Sequence, residues 1–219
     1  MSGLVFYTID TESNGLKKYY HDVIEISIIR NSDRVQLSKK IICMTPERSS
    51  IDALRVTGKT MYDLTQGEEN SKVVAACNKF FNEDGGTPES RCLIGHNVIT
   101  FDSKMLHAMW EKEDQVFPAS LYCDTLSMTK AYVKQNNLGK QKTNLKAASE
   151  LMGITKFANA HSAKGDSRQN YLLFKKLTEE KGMDYLPFIK TLPHVIKKSD
   201  YEEPDLSIFD DLEDDDMPF

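Results

Sequence analysis

Leu4-Val5-Phe6-Tyr7-Thr8-Ile9-Asp10-Thr11-Glu12 is the stretch on which the reading of this chain turns. Its first six residues are almost wholly apolar or aromatic, the composition of a buried strand. The run then meets two acids. In extended chain, residues i and i+2 point to the same side, so Asp10 and Glu12 stand together on one face. Two carboxylates this close repel, and one pKa rises unless a cation intervenes. A strand end fraying into a polar turn would give the same letters, so the pair needs support from elsewhere in the chain.

Outward from that stretch, Asn14-Gly15 offers a turn. Residues 23–29 alternate Ile24, Ile26 and Ile28 against Glu25 and Ser27, a half-buried second strand. Residues 35–44 supply a third strand after the Asn31-Ser32-Asp33 turn. Three early strands on short turns predict an antiparallel meander. Helical spacing then takes over at residues 73–81, 145–152 and 171–177. The strand-like segments 92–94 and 121–122 fall between helices, which implies parallel additions to the sheet. The expected fold is α/β, a three-layer domain with a mixed central sheet flanked by helices.

The chain has 219 residues and a net charge of −5, but the charge is unevenly placed. Ten acids and no Lys or Arg lie between Asp200 and Phe219, leaving 28 basic against 23 acidic residues in the first 199, a balance of +5. The chain divides into a mildly basic domain, residues 1–198, and an acidic tail, residues 199–219. The tail is too poor in apolar residues to fold by itself and is expected to be disordered. The domain can tolerate a polyanion; the tail cannot. No apolar run approaches the roughly 20 residues that span a bilayer. The N-terminal segment lacks the basic start of a secretory signal. The four cysteines form no CxxC pair, which excludes a zinc ribbon and points to reduced thiols in a cytoplasmic protein.

Two further acids sit on faces otherwise built for a core. A helix starting near Thr100 carries Asp102, Met105, Leu106 and Met109 on one stripe, with Asp102 at its head. An acid answering the helix dipole would occupy the same place. Later, His161-Ser162-Ala163-Lys164-Gly165-Asp166 leads into a helix on which Asp166, Leu173 and Leu177 share a face. His161 is in the loop or first turn before it, free to point toward Asp166.

In this order the motifs resemble the DEDDh exonucleases, the DnaQ-like branch of the ribonuclease H-like superfamily. The resemblance covers residues 4–180. It includes Gly95-His96-Asn97 before Phe101-Asp102, and Cys123-Asp124-Thr125-Leu126 at the family's Asp-Thr-Leu position. Residues 51–60 resemble the segment ending in His-Gly-Ile-Thr, with Val56-Thr57 in place of His-Gly. Ser13 stands where relatives often have Thr, and Gly165 where a helix former is usual. The resemblance implies hydrolysis of single-stranded DNA from its 3′ end to 5′-mononucleotides, with RNA trimming or a non-catalytic adaptor role as alternatives. It assigns two ions to Asp10, Glu12, Asp102 and Asp166, and the general base to His161. Four carboxylates without a Cys or His cluster suit Mg2+ or Mn2+. Thr11, Ser13, His96, Asn97 and Phe101 are the expected substrate contacts. Asp214, Asp215, Asp216, Met217, Pro218 and Phe219 resemble the tip of bacterial single-stranded DNA-binding proteins, which implies docking to proteins that bind such tips. A bacterial or phage source is expected.

Overall fold

The computed structural model describes residues 3–154 and 162–192. His161 and the tail 199–219 lie outside the described residues, as does the expected domain boundary at residue 198. In chain order the elements are strands β1 (Val5–Ser13), β2 (Val23–Arg30) and β3 (Gln36–Lys40), then helices α1 (Ile51–Thr57) and α2 (Asn70–Asn82). Strand β4 (Arg91–Gly95), helix α3 (Asp102–Glu111), strand β5 (Leu121–Asp124) and helices α4 (Thr125–Gln135) and α5 (Leu145–Leu151) follow. Helix α6 (Ala163–Lys175) continues into a wider π turn at Lys176–Glu180, and strand β6 (Ile189–Thr191) comes last. The strands form one sheet in the order β3-β2-β1-β4-β5-β6. The first three make the expected antiparallel meander, β1, β4 and β5 run parallel, and β6 is antiparallel to β5.

Alternation along β1 sorts the two cores. Tyr7 and Ile9 enter a buried cluster with Ile26 and Ile28 of β2, Phe81 of α2 and Leu106 and Trp110 of α3. Phe6 faces the opposite way, against the core that Leu173 and Phe174 of α6 form with Ile94 and Met128. Both faces of the sheet are therefore covered, which makes three layers.

Several elements differ from the sequence-based expectation. β1 continues past Ile9 to Ser13 because β2 pairs with it throughout, Asp10 opposite Ser27 and Glu12 opposite Glu25. The β1–β2 connection spans residues 14–22, and Asn14-Gly15 is only its start. β3 stops at Lys40, where the Ile41 amide bonds back to Ile24 and the Ile42 amide to Glu68. Helix α3 begins at Asp102, two residues later than expected, because a turn occupies residues 97–101. β6 has no apolar alternation and is recognised only by its pairing with β5.

At the start of the sheet Arg91 ties the layers together. Its guanidinium donates to both Asp84 carboxylate oxygens and to the carbonyls of Phe81, Gly86 and Pro118. The Tyr7 hydroxyl donates to the same Asp84 at 2.7 Å. Burial opposes ionisation of Asp84, but the Arg91 and Tyr7 hydrogen bonds outweigh it and hold the carboxyl at about 2. Arg91→Ala leaves a buried carboxylate without its counter-charge. It is expected to lower stability by about 3–5 kcal/mol, read as a fall in the urea midpoint; an unchanged midpoint would remove Arg91 from this role.

Candidate active site

Asp10 and Glu12 occupy the α6 face of β1, because they share its parity with Phe6. Small and polar residues bring α6 close to that face. Ser167 donates to Ser27 of β2 at 2.9 Å, and the Ala163 amide donates to Glu25 at 3.3 Å. Ser162 caps the helix by accepting from the Gly165 amide. Asp166, one turn into the helix, is thereby set against the strand. Oxygens of Asp10, Glu12 and Asp166 all lie within 4.8 Å of one another.

Asp102 arrives from the other layer. β1 pairs with β4 only as far as Thr8, opposite Ile94, so further along β1 the backbone has no strand neighbour on that side. There Asp102 Oδ1 accepts from the Thr11 amide at 3.1 Å and the Thr11 hydroxyl at 2.7 Å. The buried Asp102 carboxyl is pushed up to about 6, mainly by desolvation, with the Thr11 bonds pulling the other way.

Crowding shows in the acids themselves. Asp10 is raised well above the ordinary carboxylate range, first by burial and then by the charges of Asp102, Glu12, Asp166 and Glu25. Glu12 rises to about 8, again through burial first, then Asp166 and Glu25, with Lys59 partly offsetting them. Glu25 is a fifth acid of the cluster that sequence reasoning passed over as the polar side of a half-buried strand. It is 7% exposed, sits opposite Glu12, and pairs with Lys59 Nζ at 2.5 Å. Lys59 comes from the turn after α1, beyond the left-handed Gly58 that ends the helix. The strand register is the signal that would have found Glu25, and the nine-residue connection hid it.

The remaining expected contacts are placed as follows. The Thr11 hydroxyl is engaged by Asp102, and Ser13 Oγ donates to the Gly15 carbonyl at 2.6 Å. His96 is partly buried between Thr125, whose Oγ1 lies 3.1 Å from Nδ1, and the Thr143 carbonyl 2.8 Å from Nε2. Burial lowers its pKa. Asn97 has a left-handed backbone (φ 72°), and its amide donates to Asp124. Asp124 also accepts from Leu126 and Ser127 at the start of α4. The Asp-Thr-Leu motif thus caps one helix and anchors the chain that leads to Asp102. Phe101, just before α3, is partly buried and packs on the α2/α3 core.

The sequence profile of the RNase T exonuclease family matches residues 7–174. The chain belongs to this exonuclease family. Among solved structures, exonuclease I has a TM-score of 0.67 and 18% identity over 81% of this chain. E. coli exonuclease I in complex with a dA16 oligonucleotide gives 0.64 at 18% identity, over 81% of this chain and 41% of the other. Cell-death related nuclease 4 gives 0.65 at 9% identity, over 82% of this chain and 65% of its own. The chain spans about two fifths of the length of exonuclease I. At these identities the likeness shows the fold alone, a mixed six-stranded sheet flanked by helices. No curated protein sequence matches the chain. No described helix is long and apolar enough to cross a membrane.

The donor set fits hard divalent ions. Asp10, Glu12 and Asp166 offer only carboxylate oxygens, and their mutual repulsion is relieved by a cation. In metal-free protein the folded state keeps a proton on Glu12 between its ordinary value, 4.5, and about 8, where the unfolded chain has lost it. Stability contributed by that proton is present below pH 4.5 and lost as pH rises toward 8. In EDTA the melting temperature is therefore expected to be lower at pH 8 than at pH 5, and Mn2+ to raise it more at pH 8. Asp10→Asn should raise the EDTA melting temperature and flatten its pH dependence. Equal melting at both pH values, with no response to Mn2+, would contradict the cation assignment.

Proposed function

We propose that this protein is a DEDDh-type 3′→5′ exonuclease that hydrolyses single-stranded DNA to 5′-mononucleotides. The convergence of Asp10, Glu12 and Asp166 within 4.8 Å, in a chain of the exonuclease family, carries the reading. Single-stranded DNA as substrate is supported by the oligonucleotides bound to exonuclease I, and by the net positive domain.

In this reading Asp10, Glu12 and Asp166 hold Mg2+ or Mn2+, and Asp102, kept in place by Thr11, serves a second ion. Two divalent ions held there would supply positive charge to the phosphodiester under attack. The chain itself orients and moves protons. His161 accepts the proton of the attacking water, since histidine titrates near working pH. Lys59 pairs with Glu25 and offsets part of the repulsion that this fifth acid adds at Glu12. The His161 assignment rests on the family resemblance. Docking of residues 214–219 to a tip-binding pocket rests on the separate resemblance of the tail to the tip of single-stranded DNA-binding proteins. Autoinhibition or a solubilising tail are the alternatives, and docking is tested by binding of a synthetic peptide with and without Phe219.

Incubating the protein with 3′- and 5′-labelled single-stranded DNA and RNA, in Mg2+, Mn2+ or EDTA, tests the reading. A ladder from the 3′ end on DNA, abolished by EDTA, is expected. A stronger ladder on RNA would make the protein a trimming exoribonuclease, and no cleavage in any metal would make it an adaptor. His161→Ala should lose roughly 10²–10⁴-fold in rate and keep Mn2+-dependent stabilisation. A wild-type rate and pH profile in that variant would return the base to another group.

A further inference from the structure

The loop that leaves β1 beyond Glu12 contains Gly15-Leu16-Lys17-Lys18-Tyr19-Tyr20-His21. It is held firmly. The Asn14 side chain accepts from the Asp22 amide at 2.7 Å and donates to the Thr45 carbonyl and Ser49 Oγ. The Asn14 carbonyl accepts from the Ser50 amide, and the Lys17 amide donates to His21 Nδ1. The His21 ring fills the space where a Cβ on Gly15 would stand, 2.2 Å away, so only glycine fits there. Tyr19 is forced to a left-handed φ of 68°, which is strained for a tyrosine.

This framework joins Lys17 and Lys18 to Arg48, which comes from the segment Asn14 grips. The Arg48 guanidinium lies 4.9 Å from the centre of the Tyr20 ring, Lys17 Nζ lies 6.0 Å from the same ring, and Lys18 Nζ lies 5.1 Å from the Tyr19 ring. All three cationic residues are exposed. Glu47 lies 3.8 Å from Arg48, and Asp22 and Glu111 are engaged by Lys112 and the Tyr19 hydroxyl. Lys17 is five residues from Glu12, within about 17 Å along extended chain. Tyr19 and Arg48 also wall a cleft of about 510 Å³ with Met44, which is 68% exposed.

We propose that Lys17, Lys18 and Arg48, aligned by Tyr19 and Tyr20, form a track for the phosphodiester backbone of single-stranded nucleic acid on the 5′ side of the nucleotide being removed. The inference rests on the exonuclease reading and extends it. A cluster of five acids repels a polyanion beyond the reach of its metal ions. A rigid row of cations a few nucleotides away supplies the attraction, without regard to base sequence. Tyr20 is a positioning residue, since its ring faces cations and holds them by cation–π attraction.

The test compares single-stranded DNA of 3 and 12 nucleotides as substrates for the wild type and for the Lys17→Ala/Lys18→Ala/Arg48→Ala variant. For the 12-mer, KM is expected to rise about tenfold or more, and the salt dependence to weaken by about 2 in its log–log slope, three cations at about 0.7 each. The trinucleotide should show a smaller change. Lys17→Arg/Lys18→Arg should keep wild-type KM, and Tyr20→Phe should match wild type where Tyr20→Ala does not. If the wild type cleaves both substrates while the triple variant keeps its KM and salt slope on the 12-mer, the track is overturned and the exonuclease reading stands. If the wild type neither binds nor cleaves single strands in Mg2+ or Mn2+, both fall together.

Discussion

Asp10, Glu12, Glu25, Asp102 and Asp166 share one end of a sheet, Glu25 and Asp102 buried and the other three half-buried, and like charges so placed raise one another's proton affinity. Much of the local structure answers that repulsion. Thr11 gives Asp102 two hydrogen bonds, which ease the cost of its burial. Lys59 crosses from the turn after α1 to meet Glu25. Among the described residues, no cation comparably lowers the proton affinity of Asp10 or Glu12, beyond the partial help of Lys59 at Glu12. The protein therefore leaves its strongest electrostatic demand at the point where a divalent ion would sit.

The two ends of β1 divide the labour. Near its start, Tyr7 and Asp84 join Arg91 in a buried network whose charges are balanced internally. Near its finish, the acids are left unbalanced. A balanced network stabilises the fold and has little affinity for outside ions. An unbalanced one costs stability and gains affinity for cations. Nine residues of one strand hold both.

The meander, the mixed sheet and the apolar stripes of the helices were legible because period-2 and period-3.6 patterns are imposed by water and need no knowledge of partners. Asp10 and Glu12 were legible for the same reason, as acids breaking an apolar strand. Glu25 was not. On its own strand it alternates with isoleucines as any solvent-facing residue would, and only its register opposite Glu12 and the approach of α6 make it part of the site. Lys59 is invisible for a related reason, since its partner is 34 residues away. Asp124 read as a family motif, whereas its geometry is that of a helix cap gripping the backbone of Asn97. β6 is three residues with a single apolar side chain and carries no strand signal, and the edge of β5 supplies the pairing.

The clasp between Thr11 and Asp102 has a mechanical consequence. Asp10, Glu12 and Asp166 are carried by β1 and α6 and Glu25 by β2, while Asp102 is carried by α3, which packs on the opposite core. Among the described residues the sheet lies between those two cores. A small slide of one layer over the other would move Asp102 relative to the other four acids with no change in any residue near them. The Thr11 bonds oppose such a slide, and the packing of Leu106 and Trp110 supports α3 and its Asp102 from the other side. Interiors packed to crystal density transmit such shifts instead of absorbing them. Residues far from the acids, chosen for nothing but volume, are in this sense part of the machinery that holds the acids in line.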